Sequence, residues 1–390
     1  MVSSRGRLSI RLKIPSVSRI MDAMFIFFCM FPFLLPNPII SSDLQPYAAV
    51  MGTLICLRDL PRAGFSLMRK NHLIILGVTG IVALIVFVFS GMTMNAIRAL
   101  FNYYSVVVIP VAMCFVLRSY RGFPETMVKA CIMLWFGVCT IQFFVSRTFA
   151  LAFVSGARHG ISYRGICGLA SEPSFLGIAC FYMLHLIRKF RKGQVLYTII
   201  VVVMGCLYAQ SAMGIIFIAA YWVVFLLDMT TTRKGIWIWC GTILAVIVGG
   251  YVLLNVLQGT RIHQLVIGFL SSDSSSVLSD SSVSIRLRAI VNALQDAWDA
   301  LLMPQGFGPR IGSGYGGFLC ELGFLAIPAL WLISNMMSKC FRQMKSQVLY
   351  FVVVTFLLCN NTQIGNPLLL MIVGMNMYSA NRAQRRVVRR

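Results

Sequence analysis

Residues 163–177 read YRGICGLASEPSFLG, with Arg164 and Glu172 eight positions apart and an apolar run directly after them. Arg158, His159 and Tyr163 lie just upstream, so one connection holds arginines, a carboxylate, an imidazole and a phenol. Together these form a minimal kit for glycosyl transfer from a lipid pyrophosphate. Guanidinium groups would bind the leaving group, and a carboxylate would take the proton of the attacking hydroxyl. Arginine suits a pyrophosphate because its planar fork grips two oxygens at once and never loses its charge. Glu172 has a structural reading as well. Pro173 fits the first turn of a helix, which makes Glu172 an N-cap beside the positive end of the dipole, paired with Arg164.

A second group of charged residues lies at 257–316. Nine of the fourteen residues at 271–284 are serine, which reads as a flexible, solvated stretch. In SIRLRAIVNALQDAWDALL, which follows, Leu287, Ile290, Val291, Leu294, Trp298 and Leu301 share one helical side, and Arg288, Asn292, Gln295, Asp296 and Asp299 fall away from it. The pattern predicts an amphipathic helix on the outer membrane surface or over the bundle, with Arg286 in its first turn. Such a helix serves either as a lid or in direct contact with substrate. Arg310 stands in GFGPRIGSGYGG, where Gly312, Gly314 and Gly317 fit G-x-G-x-x-G. No strand precedes them, so they read as tight turns or points of close approach, not as a dinucleotide site. Glu321 falls near the start of the next apolar segment, where pairing with an outer arginine is the simplest account of its charge.

The elements that must position these groups are membrane spans. Hydrophobic residues make up 58% of the 390-residue chain and charged residues 12%, which does not describe a soluble protein. Segments such as 72–92 and 234–257 reach the roughly 20 apolar residues that cross a bilayer as a helix. The expected architecture is all-α, one integral membrane domain over 1–390. Its twelve spans fall near 20–40, 44–57, 72–92, 97–117, 127–146, 173–188, 194–210, 212–229, 235–256, 317–336, 347–361 and 364–380. The net charge of +23 is sorted by connection. The N-terminal tail, alternate loops (Arg58 to Lys70, Arg118 to Lys129, Arg188 to Lys192, Arg233 and Lys234, Lys339 to Lys345) and the tail NRAQRRVVRR carry most of the basic residues. The positive-inside rule makes that face cytoplasmic, with both termini inside. The other face keeps Arg98, Arg147, Arg158, Arg164, Arg261, Arg286, Arg288 and Arg310, all of them arginine. Its long loops, 147–172 and 257–316, are the two that can house a site. This sorting argues for a lipid bilayer and a phosphorylated ligand, and against nucleic acid.

Other chemistries find little in the sequence. There is no G-x-x-x-x-G-K-[ST] loop, no H-E-x-x-H and no outer D-x-D, so neither a metal nor a cofactor is expected, and the energy must already reside in the substrate. Most of the twelve cysteines lie in spans as small hydrophobes, and only Cys167 and Cys320 approach the outer face. His185 reads as a packed or snorkelled residue. A flippase or transporter would place ionisable groups near mid-span, where few are found. The basic start followed by an apolar run reads as an uncleaved first span.

Three runs carry a family resemblance: R-G-x-x-G-x-x-S-E-P-S from Arg164, D-S-S-V-S-I-R ending at Arg286, and G-F-G-P-R…G-x-x-G-F-L-C-E-L-G containing Arg310 and Glu321. Over residues 140–335 the chain resembles the O-antigen polymerase family, the Wzy-type polysaccharide polymerases of the bacterial inner membrane. That resemblance implies a metal-independent glycosyltransferase that polymerises undecaprenyl-pyrophosphate-linked repeat units on the periplasmic face into O-antigen, capsule or exopolysaccharide. A flippase and a chain-length regulator would be its partners. By motif, Arg164 and Arg286 would bind pyrophosphate and Glu172 would act as the base or orient it, with Arg158, His159, Tyr163, Arg288, Arg310 and Glu321 binding substrate. The arginine-x10-glycine spacing of some members is absent. An O-antigen ligase shares the substrate and the arginine logic and is the nearest alternative.

Overall fold

The protein is described from a computed structural model, which covers residues 16–34, 44–157, 165–229, 241, 281–307, 314–359 and 363–388. The described residues are helical but for turns, loops and one bridge between Leu34 and Val154. In chain order the helices are α1 (Val17–Met30), α2 (Tyr47–Ala63), α3 (Lys70–Phe89), α4 (Met94–Ser119), α5 (Glu125–Phe144), α6 (Pro173–Ile187) and α7 (Gln194–Val202, prolonged by a π-helical stretch Val203–Tyr208). They continue as α8 (Ala212–Met229), α9 (Ser281–Asp299), α10 (Tyr315–Leu322), α11 (Ile327–Ser338), α12 (Met344–Leu358) and α13 (Pro367–Val388). Five helical stretches among the described residues are long and apolar enough to cross a membrane: α3, α4, α5, α8 and the run from Tyr315 to Ser338. α6, α7 with its extension, and α12 are shorter apolar helices. The expected span at 235–256 lies outside the described residues.

The centre of the bundle follows from which helices are apolar on every side. Residues 176–187 of α6 and 367–377 of α13 are buried without interruption, and most of the second half of α4 is buried as well. A helix hydrophobic all round must sit inside, whereas one that borders the surroundings carries its bulk on one side. α3 is of the second kind and exposes Ile74, Val78, Ile81, Leu84, Ile85, Val88 and Phe89. α13, which the sequence alone marks only as a short last span, is therefore a central pillar. It packs most extensively on α4, and the two run in the same direction: Gly365 abuts Asn102 and Gly374 abuts Pro110.

Hydrogen bonds tie the basic connections to one another at one end of the bundle. Arg58 of α2 reaches Asp22 and the Ser18 carbonyl of α1. Arg69 donates to the carbonyl of Ala380, and Asn381 donates to that of Ser66. Lys129 donates to Lys192 O, and Asp228 at the end of α8 accepts from the Arg188 side chain and from the N–H groups of Arg342 and Gln343. The connections that the charge sorting groups together thus share one end in space.

The last part of the 317–336 segment departs from a single straight span. In a continuous helix, residues fifteen apart lie about 22 Å apart. The Tyr315 hydroxyl nevertheless donates to Leu330 O at 3.2 Å and lies 2.8 Å from Ser334 Oγ. The chain bends back at Gly323, whose φ of +60° is open to glycine and strained for other residues. α10 is therefore a half-length helix leaning back toward α11.

Candidate functional site

At the end of the bundle opposite the basic connections stand the glutamates Glu172 and Glu321, besides Asp296 and Asp299 of α9. Glu172 occupies the N-cap position of α6, with extended backbone (φ −152°, ψ 160°) and Pro173 following it, as the sequence predicts. Its side chain makes no capping hydrogen bond and meets no cation among the described residues, and it is only half-buried. The capping role is thus one of placement alone. The carboxylate faces Cys167 closely enough to act on it: burial first, and the charge of Glu172 second, push the Cys167 thiol up to about 11.

The loop that delivers Glu172 is held down at several points. Gln142, buried near the end of α5, donates to Gly168 O and Phe149 O, both at 2.8 Å, and accepts from Gly168 N–H at 2.8 Å. Ile166 N–H donates to Tyr208 O at 2.9 Å, at the end of the π-helical stretch, and Phe175 stacks on Phe33 at 5.4 Å. Gly165 and Gly168 of the R-G-x-x-G run are required by this seating. A Cβ at 165 would stand 2.1 Å from Ala209 O, and one at 168, where φ is +61°, 2.7 Å from Cys139 Sγ. Arg158, His159, Tyr163 and Arg164 lie outside the described residues.

Glu321 sits on α10 and accepts a hydrogen bond from the hydroxyl of Tyr103 in α4. Tyr103 is buried, with Phe307 stacked on its ring at 5.4 Å and Phe318 tilted against it at 4.6 Å. Phe307 is itself fixed by its N–H, which donates to Ser90 Oγ at 2.8 Å. One partner of Glu321 is therefore a phenol across the bundle, which the sequence reading does not name.

α9 is helical as the pattern predicts, and the structure shows which of its faces meets protein. Ala293 and Ala297 are the residues buried against α10, where Cys320 Sγ donates to Ala293 O at 3.0 Å. Val291, Leu294, Trp298 and Leu301 of the bulky stripe are exposed, Trp298 at 72%. Small side chains let two helices approach closely, so the alanine face takes the protein contact and the large apolar face turns outward. α9 begins at Ser281, so the end of the serine-rich stretch is helical and Arg286 stands in the second turn and not in the first as the sequence suggests; Arg288 is exposed. Arg310 lies outside the described residues.

Tyr103, which holds Glu321, and Gln142, which holds the loop before Glu172, are residues that the sequence reading passes over. Gln142 leaves a trace there, a lone amide in the apolar run CTIQFF; Tyr103 leaves none. Among the described residues, no group of three or more His, Cys, Asp or Glu is placed to hold a metal ion. Against known proteins, the chain matches no family model, no curated protein and no solved structure.

Proposed function

We propose that this all-helical membrane protein is a metal-independent glycosyltransferase, a polymerase of lipid-pyrophosphate-linked oligosaccharide repeat units that works at the end of the bundle carrying Glu172. The observation that carries the reading is that carboxylate: half-buried, on a loop pinned by Gln142 and the Tyr208 carbonyl, and without a cation among the described residues. A carboxylate serving only as a cap would accept a hydrogen bond from the first turn of α6, and Glu172 accepts none there. Its surroundings add that every basic residue the sequence sorts to this face is an arginine.

In the proposed step, the hydroxyl oxygen of the acceptor sugar attacks the anomeric carbon of the donor. The bond from that carbon to the pyrophosphate oxygen breaks, and its electron pair leaves with the lipid pyrophosphate. Glu172 takes the hydroxyl proton, and Arg164 and Arg286 bind the departing charge. The face is periplasmic in a bacterial inner membrane, with both termini cytoplasmic.

Deleting the protein tests this reading. A polymerase acts after export of the repeat unit and before its final attachment, so its loss should leave surface glycans of one repeat unit. Gels of surface glycan and of extracted lipid-linked glycan read the result. Long chains stranded on the carrier lipid would instead make the protein a ligase, and single units trapped on the inner leaflet would make it a flippase.

A further inference from the structure

At the basic end a cavity of about 310 Å³ opens between the end of α4, the turn into α5, the residue after α6's C-cap and the last turns of α13. Lys189, Arg382, Tyr378 and Ser379 line it together with Leu117 and Phe123. The carboxylates described at this end are all taken. Asp22 and Asp59 hold Arg58 at 2.7 and 2.6 Å, and Asp228 holds Arg188 at 3.0 Å. Glu125 holds Lys129 at 2.7 Å and also accepts from the N–H groups of Arg191 and Lys192. Neither Lys189 nor Arg382 has an ion pair or side-chain hydrogen bond among the described residues. Lys189 is partly buried, and that burial, with Arg188 beside it, draws its ammonium below the usual lysine range, although the Cys340 sulfur works the other way. The two cations thus line one cavity without a counter-charge among the described residues, an arrangement that favours an anion.

We propose that this cavity binds a phosphate-bearing group, with Lys189 and Arg382 as its cations and the hydroxyls of Tyr378 and Ser379 beside them. The group is either the headgroup of an anionic phospholipid in the adjoining leaflet or a soluble phosphate. Basic pockets between transmembrane helices are suited to lipid phosphates because the surrounding chain ends exclude water while the headgroup supplies the missing charge. The bound group clips α6 and the α4–α5 turn to α13, the helices that form the centre of the bundle. This anion site lies at the opposite end from Glu172 and does not depend on the reading of that site.

Full-length protein in a neutral detergent provides the test. Binding of phosphatidylglycerol is measured by native mass spectrometry and by the rise in melting temperature, against phosphatidylcholine and against inorganic phosphate. Each basic residue near an anionic surface contributes roughly a fivefold factor, so the double variant Lys189→Gln/Arg382→Gln should bind phosphatidylglycerol about 30-fold more weakly. Lys345→Gln, at an exposed position of the same end outside the cavity, should bind as the parent does. Phosphatidylglycerol that resists millimolar inorganic phosphate assigns the site to lipid, whereas stabilisation by inorganic phosphate alone, with displacement of the lipid, assigns it to a soluble phosphate. Equal binding of phosphatidylglycerol and phosphatidylcholine with no effect of phosphate overturns the proposal, and so does a loss in Lys345→Gln as large as in the double variant. Should Lys189→Gln not fold, Arg382→Gln alone changes an exposed side chain and must still weaken binding about fivefold.

Discussion

The two ends of the bundle use the same kinds of charged residue differently. At the basic end Asp22, Asp59, Glu125 and Asp228 each meet a cation at 2.6–3.0 Å, and the pairs join helices: α1 to α2, and α6 to α8 and the α11–α12 turn. At the other end Glu172 meets no described cation, and one partner of Glu321 is the hydroxyl of Tyr103. Charge that holds a structure together is consumed inside the fold. In the proposed function the Glu172 carboxylate acts on a ligand, and its loop is fixed by other means, the Gln142 clasp and the hydrogen bond to Tyr208 O.

The largest expected effect tests the open carboxylate. Glu172→Gln should lower repeat-unit transfer by about 100- to 10,000-fold, the range for removal of a general base, with unchanged melting in detergent. A loss of stability equal to the loss of activity would return Glu172 to a purely structural role. Asp228 is the matching test at the closed end. Asp228→Ala removes a buried carboxylate and leaves the partly buried Arg188 guanidinium and two N–H groups without their acceptor, and should cost about 3 kcal/mol in a reversible detergent-unfolding experiment. Parent-like stability would mean that the pair contributes little to the fold.

Gly168→Ala lies between these cases. It adds a Cβ 2.7 Å from Cys139 Sγ at a left-handed φ, at a cost of about 2–4 kcal/mol from crowding and backbone strain, read as a lower melting temperature. Transfer should fall further than the loss of folded protein explains, because the loop carrying Glu172 shifts. The smallest effect is a titration. With Cys167 as the only cysteine left, alkylation should rise with pH to a midpoint of about 11. The Glu172 charge disfavours the thiolate, so Glu172→Gln should move the midpoint down while burial, the larger cause, keeps it above the ordinary thiol value. An unmoved midpoint would place the Glu172 carboxylate away from Cys167.

Particular residues show how much of this was legible in advance. Pro173 announced the start of α6 because proline lacks the N–H that a first helical turn leaves unpaired, and Glu172 followed as its N-cap position. His185 was legible as a packed residue: its ring meets Phe181 O at 3.0 Å and Tyr350 Oη at 2.7 Å inside the core. α9 was legible as a helix but not in orientation. Periodicity shows that two faces differ, while which of them meets protein depended on Gly316 lying against Ala293. Tyr103 could not be read as a partner of Glu321, because 218 residues separate them.

By itself the sequence determined the class of the protein, an all-helical chain with spans long enough to cross a membrane. It also determined the sorting of basic residues among alternate connections, which the hydrogen bonds then gathered at one end. Both are local properties: a segment in lipid must satisfy its backbone within its own helix, and the charges beside it decide how it inserts. Tertiary structure alone decided that α13 stands at the centre, that the chain doubles back at Gly323, that Asp228 is consumed, and that Lys189 and Arg382 face one cavity without a described counter-charge. Each of these depends on which distant surfaces meet. Inside a bilayer that choice rests on close packing and on the pairing of a few polar groups, neither of which leaves a periodic trace along the chain.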